Sequence, residues 1–220
     1  MRTRRVRSAR TRAGISLIEV VIGSVLLVSV TAGAFTLGNS ATEAYGVASK
    51  EAQHVERLGG GISSVADVLR RGRISTVVLD SSAGVCTLDF EVADGYDAAL
   101  GEPTWRSEQI LFENEPGEAP ANDFDDDGDG LVDEGRVVHV RDPGGANERR
   151  IVLVRGVARA GNGEIANNNL DDDGDGLVDE PGFNLVVLDG RVDLELTAEA
   201  ELMNDQTISR TMTRTVGMRN

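Results

Sequence analysis

Residues 15–37 form an apolar run interrupted by one acid, Glu19. As a helix this run is about 34 Å long, enough to cross a hydrocarbon core of about 30 Å. Any fold the chain adopts must place it in lipid or against other helices. A carboxylate near the centre of a bilayer helix costs roughly 2.5–3.5 kcal/mol on insertion scales, so Glu19 needs a role that offsets that cost. Ahead of the run stand Arg2, Arg4, Arg5, Arg7, Arg10 and Arg12, with no acid among them. Such a segment is held on the cytoplasmic side and is not part of the fold. An ordinary secretory signal also joins a basic region to an apolar one, and Ala32-Gly33-Ala34 offers it a small-residue cleavage site. A buried charge gives such a signal nothing. Thr3-Arg4-Arg5 faintly suggests a twin-arginine signal, although an arginine-rich leader makes such pairs by chance. A plain uncleaved anchor is the remaining alternative.

Taken together, the basic leader ending in Gly14, the hydrophobic Ile15 after it and a glutamate at the fifth position beyond the junction, Glu19, resemble the type IV pilin superfamily. The resemblance implies cleavage after Gly14 by a membrane-embedded prepilin peptidase and methylation of the new N-terminus at Ile15. It also implies assembly with other pilin or pseudopilin subunits through the N-terminal helix, with Glu19 neutralising a neighbour's terminal amine. The location implied is the bacterial inner membrane, crossed once with the head in the periplasm, and then a filament at the cell surface. The match identifies a superfamily rather than a subunit. The C-terminal half resembles, more weakly, the J-type minor pseudopilins of type II secretion and related minor pilins, with alternating strands and an arginine-asparagine end at Arg219-Asn220.

The chain has 220 residues and a net charge of −15, and loss of six leader arginines takes the remainder to −21. That balance excludes a binder of phosphate backbones, so nucleic acid is not an expected partner. A single cysteine, Cys86, forms no intrachain disulfide, and its apolar setting predicts a buried strand position.

Four segments are expected: a leader at 1–14, a membrane and filament-core helix at 15–37, a helical stalk at 38–72 packed on the head, and a β head at 73–220. On the stalk, Ala44, Ala48, Ala52, Val55 and Leu58 recur at three to four residue spacing and predict one apolar face. Gly59-Gly60-Gly61 predicts a kink, because glycine costs about 1 kcal/mol in a helix interior. A second helical piece should follow at 62–71 with Val65, Val68 and Leu69 as its buried stripe. Beyond Gly72, β-branched runs at 74–79, 85–92, 109–113, 137–141, 150–157, 184–188, 192–198 and 207–216 predict strands. Residues 191–196 and 207–216 alternate with period two, as a half-buried antiparallel sheet requires. Helix followed by strands argues for α+β, a long N-terminal helix packed on an antiparallel sheet.

Two acidic segments, 122–134 and 168–180, are nearly identical. Each carries oxygen ligands at alternate positions, a glycine for the sharp turn, a carbonyl and a further carboxylate, which is the recipe of a calcium loop. The first set is Asp125, Asp127, Asp129, the Leu131 carbonyl, and Asp133 or Glu134. The second is Asp171, Asp173, Asp175, the Leu177 carbonyl, and Asp179 or Glu180. Here the chain resembles EF-hand-like, dockerin and thrombospondin type 3 sites, departing at the twelfth position, where Arg136 and Gly182 replace a bidentate glutamate. The strand-like flanks predict ligand loops inserted between strands, holding two calcium ions. Magnesium demands tighter octahedral geometry than such a loop offers. The bland alternative is a solvated acidic turn.

His54 and His139 lie in no zinc or nucleophile pattern and read as surface or half-buried residues; Phe90, Trp105 and Phe112 read as core. The expected function is a non-catalytic minor pilin or pseudopilin with a calcium-stabilised head. A secreted or membrane-anchored calcium-dependent adhesion or binding domain is the alternative.

Overall fold

The computed structural model describes residues 16–80, 86–119, 124–161, 164, 170, 172, 180–202 and 207–219. The chain forms two compact units, Met1–Gly46 and Val47–Asn220. One helix, α1 (Leu17–Leu69), contributes to both. Its first turn begins at Ser16, whose carbonyl accepts from the amides of Glu19 and Val20 at 3.0 and 3.2 Å. Ser16 and Glu19 also have the S-x-x-E spacing of a capping box, which pattern reading missed. In the first unit every described residue through Tyr45 is exposed, Leu17, Ile18, Leu26, Leu27, Phe35 and Leu37 among them. The helix is long and apolar enough to cross a membrane.

In the second unit α1 runs on to Leu69 without a break, which corrects the kink expected at Gly59-Gly60-Gly61. Two hydroxyls follow the backbone through the glycines, Ser63 donating to the Gly59 carbonyl at 2.7 Å and Ser64 to that of Gly60 at 2.9 Å. Gly61 has a packing role: a Cβ there would come within 2.7 Å of Val154 Cγ2 on the facing strand. Close approach of helix to sheet offsets the helix-propensity cost. The buried face also differs from the alanine stripe. Ala44, Ala48, Ala52 and Val55 are exposed, and His54, Leu58, Gly61, Ile62, Val65, Ala66, Val68 and Leu69 are buried. The larger side chains select the face, and His54 joins them because its Nε2 finds the Ala198 carbonyl at 3.0 Å.

Eight antiparallel strands complete the α+β fold: β1 (Gly72–Asp80), β2 (Thr87–Asp97), β3 (Glu102–Asn114), β4 (Gly135–Arg141), β5 (Arg149–Val157), β6 (Phe183–Leu188), β7 (Arg191–Glu201) and β8 (Thr207–Gly217). Their order is β1-β2-β3-β4-β5-β7-β6, with β8 on the other edge of β7. The sheet curls until Arg219, just past β8, bridges Arg73 of β1 in parallel. The Arg219 amide donates to the Gly72 carbonyl at 3.0 Å, and the Ile74 amide to the Arg219 carbonyl at 2.7 Å.

The core lies between the curled sheet and α1, where Leu58, Ile62, Val65 and Leu69 meet Leu88, Phe90, Ile110, Val137, Val154, Leu194 and Leu196. On β7 Val192, Leu194, Leu196 and Ala198 are the buried alternate residues, so the expected register holds. Cys86 is buried just before β2, and burial pushes its thiol up to about 11. Trp105 departs from the core expectation: it is 41% exposed, with the Arg73 guanidinium 4.8 Å from its ring centroid.

Candidate metal centre

Both acidic segments fall between strands. The first connects β3 to β4 and leaves from a paired position, Asn114 opposite Gly135; the second connects β5 to β6. Their bases are built alike. The Glu115 amide donates to the Glu134 carbonyl, and 46 residues on the Gly161 amide donates to that of Glu180. The Asp126 amide donates to Glu118 Oε1 at 3.0 Å, and the Asp172 amide to Glu164 Oε1 at 3.0 Å. Repetition thus extends upstream of the aspartates to Glu118 and Glu164, a signal present in the sequence and passed over because the intervening residues differ. Asp171, Asp173, Asp175, Leu177 and Asp179 of the second set lie outside the described residues, as do Gly14 and Ile15; Glu180 is half-buried at the loop's end.

In the first loop the turn is made by Asp125, whose Oδ1 and Oδ2 accept from the amides of Gly128 (2.6 Å) and Gly130 (3.0 Å). Asp127 and Asp129 accept from the amides two residues on, those of Asp129 and Leu131. The position of Gly130 favours glycine because its φ of +91° strains any side chain, and a Cβ there would also displace the Glu201 carboxylate.

Five carboxylates converge in two triads, Glu118–Asp125–Asp127 and Asp127–Asp129–Glu134, each with ligand oxygens within 4.8 Å of one another. Two oxygens on one calcium ion at about 2.4 Å are at most about 4.8 Å apart, so either triad has the span of one ion's coordination shell. Asp133, buried and at φ +52°, belongs to neither triad. Leu131 is buried beside the site and lines it. Arg136, at the twelfth position, points its guanidinium to Glu113, with Nε 2.8 Å from Oε1. Gly182 packs against the Ala158 carbonyl so closely that no side chain fits. Both twelfth positions have been taken over by the sheet.

Behind the inner triad lies a cavity of about 430 Å³, lined by Asp127, Asp129 and Glu134 and by Lys50, His54 and Arg57 of α1. Arg155 also lines it but is held by Glu115, Nη1 to Oε2 2.7 Å. Lys50 donates to the Glu201 carbonyl at 3.4 Å. Glu134 is 1% exposed, and no other residue hydrogen-bonds either of its carboxylate oxygens. Burial pushes this carboxyl up to about 7, with only its own backbone amide opposing, and Asp129, Glu118 and Asp127 add repulsion. Glu118 is buried too, and its Oε2 lacks a partner. Buried carboxylate oxygens without donors are costly unless a cation completes them, so this donor set fits a hard divalent ion.

A second buried acid has its partners within the protein. Glu108 on β3 is fully buried; its Oε2 lies 2.7 Å from His139 Nε2 and its Oε1 2.6 Å from Arg106 Nη2. His139 and His54 are therefore buried side chains, not surface ones. No protein-family model matches the chain, and no curated protein matches it.

Proposed function

We propose that the chain is a non-catalytic minor pilin or pseudopilin subunit whose periplasmic head is stabilised by calcium. The observation that carries the reading is the apolar N-terminal part of α1, exposed throughout, with Glu19 in its first turn. Side chains such as Leu17, Ile18, Leu26 and Phe35 need lipid before assembly and neighbouring helices after it. Cleavage after Gly14 would put the new amine at Ile15, and an unneutralised amine and a lone carboxylate are each unfavourable in an apolar filament core. Pairing them between subunits removes both costs. The orphaned oxygens of Glu118 and Glu134 support the calcium part of the reading.

The capping-box position of Glu19 favours a second reading, in which the acid merely starts the helix of an anchored calcium-binding domain. Glutamine fills a capping box as glutamate does but carries no charge. Glu19→Gln should therefore insert normally yet fail to enter assembled filaments, and wild-type incorporation would leave only the anchor. Mass spectrometry of the mature protein should find a methylated Ile15 as first residue. A start at Phe35 would replace the pilin reading by a secretory signal.

A further inference from the structure

We infer that the first acidic loop holds a bridged pair of divalent cations rather than one, with Asp127 shared between them. The inference rests on the calcium reading of the loop and deepens it. The five carboxylates form two groups with one common member, not a single convergent shell. Glu118 and Asp125 complete the outer position, Asp129 and Glu134 the inner one. Each position independently contains a carboxylate that is more than nine-tenths buried and has an oxygen without a donor: Glu118 Oε2 in the outer, both oxygens of Glu134 in the inner.

Charge favours the pair as well. One divalent ion among five carboxylates leaves three negative charges in a partly desolvated site, and two ions leave one. Nearby cations do not substitute for the inner ion. Arg155 is engaged by Glu115 and Lys50 by a carbonyl, and although Arg57 also lines the cavity, no side-chain cation bonds the Glu134 carboxylate. The inner ion would face the cavity next to α1. Backbone amides already fill other lone pairs of Asp125, Asp127 and Asp129 and hold their side chains in the loop before any ion arrives.

The test uses the full chain in detergent, stripped by chelator and then dialysed to equilibrium against radioactive calcium. Relative to the parent, Glu134→Gln and Glu118→Gln should each lose at least one bound ion. Asp127→Asn and the Glu118→Gln/Glu134→Gln double variant should each lose two. A single-ion loop sets a ceiling of one lost ion for every variant, and that result overturns the pair while leaving the calcium reading intact. A parent that binds no calcium sinks both. Folding is checked by melting in chelator, where Glu134→Gln should melt no lower than the parent because it removes a buried charge without a partner. A lower melting point there would mean that the carboxylate serves the fold instead of an ion, and would also overturn the proposal.

Discussion

Glu108 is tolerated in the core because the His139 ring and the Arg106 guanidinium both reach its carboxylate at hydrogen-bond distance. Burial alone would raise its carboxyl, but hydrogen bonds from His139 and Arg106 outweigh burial and hold it down to about 2. A carboxyl depressed in the folded state contributes stability that is complete above its unfolded value of about 4.5 and is lost as pH falls from there toward about 2. Acid titration of stability by circular dichroism should show that loss in the parent, and a reduced slope in Glu108→Gln. The same variant should be less stable at pH 7 by about 3 kcal/mol, since Arg106 and His139 lose their common acceptor. None of this was legible from single residues. Glu108 and His139 are far apart in sequence and stand two rungs apart across β3 and β4, so only the register reveals them. His54 was missed for a related reason, because its satisfying carbonyl, Ala198, belongs to a distant strand.

At the scale of elements, periodicity located the eight strands among the described residues, since β-branched runs bounded by turn residues have few alternatives. It misjudged part of the helix: Leu58, Val65, Val68 and Leu69 are buried as expected, but Ala44, Ala48, Ala52 and Val55 are exposed and His54, Gly61 and Ile62 join the buried face instead. The three glycines divide by environment in a way no propensity scale contains. A Cβ at Gly59 or Gly60 meets nothing within 4 Å, whereas one at Gly61 meets Val154. Gly60→Ala should therefore stabilise the monomer by up to about 1 kcal/mol in urea unfolding. Gly61→Ala should destabilise it by about 1–3 kcal/mol, and Val154→Ala should recover part of the loss in a double-mutant cycle. Additive effects at the two positions would contradict the contact. In the first acidic loop the repeat pointed to Asp125, Asp127 and Asp129, and the fold places Glu118 and Glu134 beside them.

For the whole molecule, ions that bind only the folded state add stability by mass action. At a calcium concentration a hundredfold above Kd this is about 2.7 kcal/mol for each ion, or roughly 5–10 °C in Tm for a chain of this size. The detergent-solubilised chain should melt higher by at least that amount in millimolar calcium than in chelator, measured by scanning fluorimetry. An unchanged Tm in metal-stripped, folded protein would reduce both loops to solvated turns.

The bridge between Arg73 and Arg219 also governs the order of events in folding. β1 is made before the other strands of the sheet, yet the backbone groups it offers at residues 72 and 74 are answered by a residue just past β8. A contact between such distant positions is slow to form, because strands β2 to β8 lie between them in the chain. Until then β1 presents a free edge on which strands of other nascent chains can pair. The head can close only after translation has passed β8, so the interval between emergence and closure is when the protein is most exposed to aggregation.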